Sequence, residues 1–250
     1  MISYNSLGKY GRLGNQMFQY AALKGIAKNR GYDHVIPYSS GADEYNDHQL
    51  FQAFHMYGTL VGTHTGSMVT ERFFHFDEEL FNNCPNNVDL HGYFQSYKYF
   101  DHIRDEIIKD FTFKNKSKVP PYAYVAVHVR RGDYVNQPDF HPTCSLEYYA
   151  EAMSKFDYGT DFVIISDDIE WCKQQEVFKN CFFSENTNNI DDLYLMTQAS
   201  HNIIANSSFS WWGAYLNQNK GKVICPAQWF GKNYAHYNME DLRPESWTQL

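Results

Sequence analysis

The second half of the chain alternates short apolar runs with stretches of helical length, and this restricts the fold more than any other feature. Residues 123–129, 162–166, 181–184, 202–205 and 222–225 are brief runs rich in Val, Ile and Phe. Between them, 145–156, 169–177, 191–199 and 210–218 carry helical periodicity. Repeated strand–helix–strand units dictate a parallel sheet with right-handed crossovers and helices on both faces. The first half begins in the same way. A strand over 1–6 passes through a loop with Gly8, Gly11 and Gly14 into an amphipathic helix over 15–29, and 34–38 reads as a second strand. The stretch 39–85 is polar, aromatic and poorly periodic, and helical spacing returns over 96–111. Charge and two prolines in Lys114-Asn115-Lys116-Ser117-Lys118-Val119-Pro120-Pro121 then stop the helix. The linker is expected there, between an N-terminal domain over 1–118 and a C-terminal domain over 122–250. No internal repeat or low-complexity segment interrupts this plan.

Within the plan, His128-Val129-Arg130-Arg131-Gly132-Asp133-Tyr134 is the stretch with the most pointed chemistry. Two guanidiniums follow directly on a buried strand, and in an open α/β sheet the ligand crevice lies beyond the carboxyl ends of the strands. Paired arginines there can grip phosphate bidentately, as lysine cannot, so a diphosphate leaving group fits. The plainer alternative is one structural salt bridge and one surface charge.

The chain has 250 residues, 43% of them hydrophobic, which is enough for one large or two ordinary domains with real cores. Aromatics reach 18%, and such rings fill cores and also stack on sugar-like ligands; composition does not separate the two uses. A net charge of −8 with scattered Lys and Arg argues against a nucleic-acid surface. No run approaches the ~18 apolar residues of a membrane helix, and the N-terminus lacks signal-peptide order, so the expected compartment is the cytoplasm, with a peripheral membrane position left open. Five cysteines, Cys84, Cys144, Cys172, Cys181 and Cys225, form no C-x-x-C pair and no His cluster at metal spacing, and are expected to be reduced and structural. No metal site is expected. Asn115-Lys116-Ser117 and Asn206-Ser207-Ser208 match the glycosylation sequon, which a cytoplasmic chain would not present to that machinery. Arg131-Gly132-Asp133, an adhesion-type tripeptide, carries little weight at a strand end.

Gly8, Gly11 and Gly14 do not make the G-x-G-x-x-G of a dinucleotide fold, and no acidic residue clearly ends a second strand, so an oxidoreductase is disfavoured. The loop instead presents Asn15 and Gln16 at a helix N-terminus, where free amides favour polar or anionic oxygens; alternatively the glycines serve only a tight turn. Asp167 and Asp168 end one strand and open a helix. They can act as an N-cap pair, one can accept from a guanine edge, or both can hold a divalent metal. Asn206-Ser207-Ser208-Phe209-Ser210-Trp211-Trp212-Gly213 also follows a strand and opens a helix. Its serines either cap that helix or meet phosphate, and its two Trp are expected in the core.

Five segments in order carry a family resemblance: Gly11 to Ala21 (Gly-Arg-Leu-Gly-Asn-Gln-Met-Phe-Gln-Tyr-Ala), Gly92-Tyr93-Phe94-Gln95-Ser96, His128 to Tyr134, Ser166-Asp167-Asp168 with Trp171, and Ile203 to Ala214. Together they resemble the α-1,2-fucosyltransferases of glycosyltransferase family eleven over nearly the whole chain. The resemblance implies an α/β fold of GT-B type, two Rossmann-like domains facing one another across a cleft, with GDP-β-L-fucose held by the C-terminal one. It implies inverting, metal-independent transfer of fucose, with no cofactor beyond the donor substrate, to the 2-hydroxyl of a galactose-terminated oligosaccharide or glycan. By the same resemblance, Arg130 would bind the β-phosphate, with His128 and Arg131 in the same motif. Asp167 would lie near the guanine, Asn206, Ser207, Ser208 and Phe209 would line the diphosphate and base pocket, and Asn15 would sit near the sugar. Tyr97 and Tyr99 fall in an aromatic stretch that would vary with the acceptor.

These assignments suit the chemistry. Breaking a sugar–diphosphate bond builds negative charge on the departing phosphate and oxocarbenium character on the sugar, so a fixed guanidinium and helix-start amides act where charge appears. Asp133 is the nearest candidate base for the acceptor hydroxyl, and a partner that orients Arg130 or Arg131 is an equal alternative. The rival readings are a transferase with another acceptor or nucleotide sugar, and a glycan-binding protein of the same fold without turnover.

Overall fold

A computed structural model of the protein describes residues 1–40 and 47–250, so 41–46, within the poorly periodic stretch, lie outside the described residues. The chain divides into two compact units: Met1–Asn115 with Tyr237–Pro244, and Lys116–His236 with Glu245–Leu250. The division falls inside the expected linker. The segment Tyr237–Pro244, assigned by sequence to the C-terminal half, packs with the first unit, where the Phe76 amide donates to Asp241 at 3.2 Å.

The first unit contains β1 (Ile2–Ser3), α1 (Leu13–Arg30), β2 (His34–Ile36), α2 (Leu50–Ala53), β3 (Leu60–Val61), β4 (Ser67–Thr70), α3 (Glu78–Asn83), β5 (Val88–His91) and α4 (Arg104–Asp110). Its sheet runs β3-β2-β1-β5-β4, all parallel. The expected helix over 96–111 is instead two 3-10 turns, Tyr97–Tyr99 and Asp101–Ile103, followed by α4. Packing explains the break. Tyr99 and Phe100 are adjacent and both fully buried, and a β-carbon on Gly25 of α1 would lie 1.9 Å from the Tyr99 carbonyl. The turn is therefore pressed backbone-to-backbone on α1, which an uninterrupted helix with side chains on that face could not do.

The second unit contains β6 (Val125–Val129), α5 (Leu146–Met153), β7 (Phe162–Ser166), α6 (Ile169–Lys173), β8 (Phe182–Phe183), α7 (Asn189–Gln198), β9 (His201–Ile203), α8 (Ser208–Tyr215), β10 (Val223–Cys225) and β11 (Thr248–Gln249). Its parallel sheet runs β11-β10-β9-β6-β7-β8. All five residues of β6 are buried, as a central strand covered on both faces requires. Val125, Val127, Ile164, Ile203 and Ile224 form its core with Tyr149 and Phe178 from the helical layers. Trp211 and Trp212 are fully buried, as expected. None of the five cysteines forms a disulfide. Among the described residues no helix is long and apolar enough to cross a membrane.

Candidate active site

Both sheets reverse their winding beside one central pair of strands. In the second unit the chain lays down β6, β7 and β8 in one direction and returns to add β9, β10 and β11 on the other side. The switch point lies between β6 and β9, and beyond carboxyl ends at such a point ligands bind in open α/β sheets. Arg130 and Arg131 follow β6, Asp167 and Asp168 follow β7, and Asn206 to Phe209 follow β9, so three adjacent strands deliver these residues to one edge.

Arg130 is the hub of that edge. Its side chain is 13% exposed, and its guanidinium donates to Asp133 through one terminal nitrogen and to Asp167 through the other. It also lies 4.9 Å from the Tyr134 ring centroid. Asp167 accepts in addition from the Arg131 amide at 2.9 Å. Gly132 makes this possible, because its φ is +26° and a β-carbon there would come within 2.5 Å of the Asp167 carboxylate. Arg131 turns to different partners: its Nε donates to Asp168 at 3.0 Å and its guanidinium carbon sits 3.6 Å from the Trp171 ring centroid. Asp168 also caps α6, accepting from the Trp171 amide at 3.4 Å. Both carboxylates thus face guanidiniums. Among the described residues no group of three or more His, Cys, Asp or Glu could hold a metal ion.

The β9 side supplies a helix start. Ser207 occupies the N-cap of α8 but accepts no capping hydrogen bond, and Ser208 is the first helical residue, earlier than the expected start at 210. The first-turn amides of α8 therefore keep the anion preference of a helix N-terminus. Phe209 lies against His128, ring centroids 5.4 Å apart, which ties this helix start to β6. His128 is buried and its Nδ1 has no hydrogen-bond partner. Burial, with a smaller contribution from Arg130, lowers its pKa to about 3 and keeps the ring neutral. Asn206 is committed inward: its amide donates to the Pro142 and Trp229 carbonyls at 2.8 and 2.9 Å, and its backbone carbonyl accepts from Tyr134 at 3.3 Å. Its side chain fastens the loops that frame the edge.

The first unit has its own switch point, between β1 and β5. Asn15, in the first turn of α1 after β1, accepts at 2.8 Å from the amide of Gln95 after β5. Gly11, at φ +84°, leaves room for this, since a β-carbon would fall 2.2 Å from the Asn15 side-chain nitrogen. Gln16 points inward, accepting from the Gln49 amide at 2.9 Å. Tyr93 is exposed, whereas Tyr99 is buried with its hydroxyl accepting from the Asp77 amide at 3.0 Å, so Tyr99 belongs to the core. Glu71, which the sequence did not single out, stands just past β4 and accepts from the Tyr93 and Phe94 amides at 2.7 and 2.8 Å. Only its position after a short, exposed strand in the least periodic part of the chain could have pointed to it.

The model of glycosyl transferase family 11 matches residues 2–250. The chain belongs to glycosyltransferase family 11. This family member is 30% identical to an α-1,2-colitosyltransferase of Escherichia coli, across 96% of both chains. It is also 30% identical to the galactoside 2-α-L-fucosyltransferase SEC1 of Bos taurus, across 82% of this chain and 62% of that one. The solved fucosyltransferase NodZ from Bradyrhizobium superposes with a TM-score of 0.55 at 13% identity, covering 85% of this chain and 91% of that one. The likeness is one of fold. The family 11 chain has the GT-B class of fold, an α/β architecture with two parallel sheets.

Proposed function

We propose that this glycosyltransferase moves L-fucose from GDP-β-L-fucose to the 2-hydroxyl of a galactose-containing glycan, with inversion and without a metal. On this reading residues 122–250, apart from Tyr237–Pro244, hold the donor and residues 1–118 receive the acceptor. The observation that carries the proposal is the concentration of Arg130, Arg131 and the uncapped α8 N-terminus at the β6/β9 switch point. Such an edge suits a diphosphate, and the named galactoside α-1,2-fucosyltransferase relatives motivate the sugar and the linkage.

A β-phosphate oxygen takes the place of the Asp167 carboxylate on Arg130, while Asp133 stays paired with the other terminal nitrogen. As the glycosidic bond breaks, charge collects on that phosphate. The planar guanidinium and the amides of Ser208 and Phe209 stabilise it in a site already oriented for the purpose. Asp167, relieved of Arg130, keeps its bond from the Arg131 amide and turns its other oxygen to the guanine edge. His128 supports Phe209, with Ser207 and Ser208 beside the diphosphate. Asp133, already paired with Arg130, orients the guanidinium, which favours orientation over general-base work. The acceptor 2-hydroxyl gives its proton to solvent as its oxygen bonds the fucose carbon and the sugar–phosphate bond breaks, with GDP departing. Asn15, held by Gln95, meets the sugar. Five cysteines without a disulfide suit a reducing compartment such as the cytoplasm.

The colitosyltransferase likeness favours one second reading, a donor whose sugar is colitose, which is fucose without its 3-hydroxyl. GDP release from GDP-fucose and from GDP-colitose, each with and without lactose and in excess EDTA, tests both readings. Lactose-stimulated release from GDP-fucose in EDTA, with an α-1,2 product by NMR, is expected. Preference for GDP-colitose would select the second reading. Binding without release would mean a glycan-binding protein, and activity restored only by Mg²⁺ or Mn²⁺ would make Asp167 and Asp168 metal ligands.

A further inference from the structure

The loop 92–96 of the first unit is held from several sides. The Gly92 amide donates to the Tyr4 hydroxyl at 2.9 Å, and the Gly92 carbonyl accepts from Gln19 at 3.1 Å. Phe94, fully buried, has a φ of +53°, a left-handed conformation that is strained for a bulky residue. Its ring lies edge-on to Tyr4 and Tyr99, with centroids 6.2 and 5.5 Å away. The next residue is Gln95, whose amide reaches Asn15.

What sets the backbone entering this strained residue is one carboxylate. Glu71 accepts from two consecutive amides, Tyr93 on one oxygen and Phe94 on the other, while its own amide donates to the His91 carbonyl at 2.8 Å. An ionised carboxylate accepts through both oxygens with no donor of its own to compete. We propose that Glu71 is a positioning residue for the acceptor: it fixes the Tyr93–Phe94 peptide, and through it aims exposed Tyr93 and the Gln95–Asn15 pair at the incoming sugar. This rests on the acceptor role proposed above for the first unit. Burial pushes the Glu71 carboxyl up to about 7 against the pull of the two amides, with Asp77 adding a smaller rise. Above that value the carboxylate is ionised and both oxygens accept from the loop, and below it a proton on one oxygen competes with an amide.

Kinetics and amide exchange on Glu71→Gln together test the proposal. Glutamine keeps one accepting oxygen but turns an NH₂ toward the second backbone amide, the loss of one charge-assisted bond. The expected result is an acceptor KM raised by about tenfold or more, with the KM for GDP-fucose within twofold of wild type and faster hydrogen exchange at Tyr93 or Phe94. Glu71→Asp, which withdraws the carboxylate by one methylene, is the second variant if the first does not fold, and the same split is expected. An unchanged acceptor KM, or equal rises for both substrates, overturns the positioning role. If wild-type protein transfers nothing to any galactoside, the functional reading fails by itself. Exchange then judges Glu71 separately, with unaltered protection at both amides in the variant overturning the clamp.

Discussion

The two units solve one topological problem with opposite chemistry. Each has its switch point at a central pair, β1/β5 in the first, where β5 returns to the centre after β4 is laid at the edge, and β6/β9 in the second, and each brings its motif residues to the carboxyl edge of that pair. At β6/β9 the edge is ionic: two arginines, three carboxylates and a helix start without a side-chain cap. At β1/β5 it is built on a neutral amide pair, Asn15 with Gln95, beside an exposed Tyr93. A guanidinium fork matches phosphate, whereas neutral amides and aromatic faces match a sugar's hydroxyls and apolar ring faces. The fold specifies where a ligand goes, and the side chains after each strand specify which kind.

The largest test of this contrast is Arg130→Lys. Lysine keeps the charge but not the planar fork that reaches two oxygens, and the phosphate is most negative as the bond breaks. The loss should appear in kcat, by roughly 10² or more, the scale of removing one transition-state donor. Near wild-type kcat would remove Arg130 from catalysis and dissolve the ionic half of the comparison. Asp167→Asn comes next. It weakens the contacts that orient Arg130 and Arg131 and loses an acceptor toward the base, so the KM for GDP-fucose should rise by about tenfold with little effect on the acceptor KM. A rise confined to the acceptor would reverse the assignment of the two units.

The ionic edge was legible from sequence because its signals are local. A Val-rich run ending in Arg-Arg, or a strand ending in Asp-Asp, declares both element and chemistry within a few residues, and β6, β7 and β9 appear where periodicity puts them. The strand order that brings these ends together follows from βαβ handedness only in outline. The inward commitment of Asn206 was not legible, because its partners at Pro142 and Trp229 are distant in sequence. The neutral edge was harder. Its strands are two to four residues long, too short to show a period, and aromatic-rich 97–103 reads as helix until α1 presses on it. Glu71 depends wholly on a contact with a loop more than twenty residues away.

Gln95→Ala sharpens the neutral side of the comparison. It removes the donor that holds Asn15, leaving both the helix-start amide and the sugar less well ordered, so the acceptor KM should rise severalfold to about tenfold while GDP-fucose KM stays put. Equal changes in both constants would mean that the two substrates are bound in concert and that the units do not divide the work.

Arg131→Lys should have the smallest catalytic effect, and it separates the two arginines by partner. Arg131 sends its guanidinium to the half-exposed Asp168 and the face of Trp171, whereas Arg130 meets Asp133 and Asp167. Lysine in place of Arg131 forfeits the stacked plane on Trp171 and the Nε bond to Asp168, contacts worth about 1 kcal/mol together at a partly exposed site. The Arg131 amide, which holds Asp167, is unaffected by the side-chain change. Melting should therefore fall by about 2–4 °C, with kcat and both KM values within about threefold of wild type. A kcat loss matching that of Arg130→Lys, with no change in melting, would make Arg131 the phosphate ligand and Arg130 the residue that braces the edge through its two carboxylates.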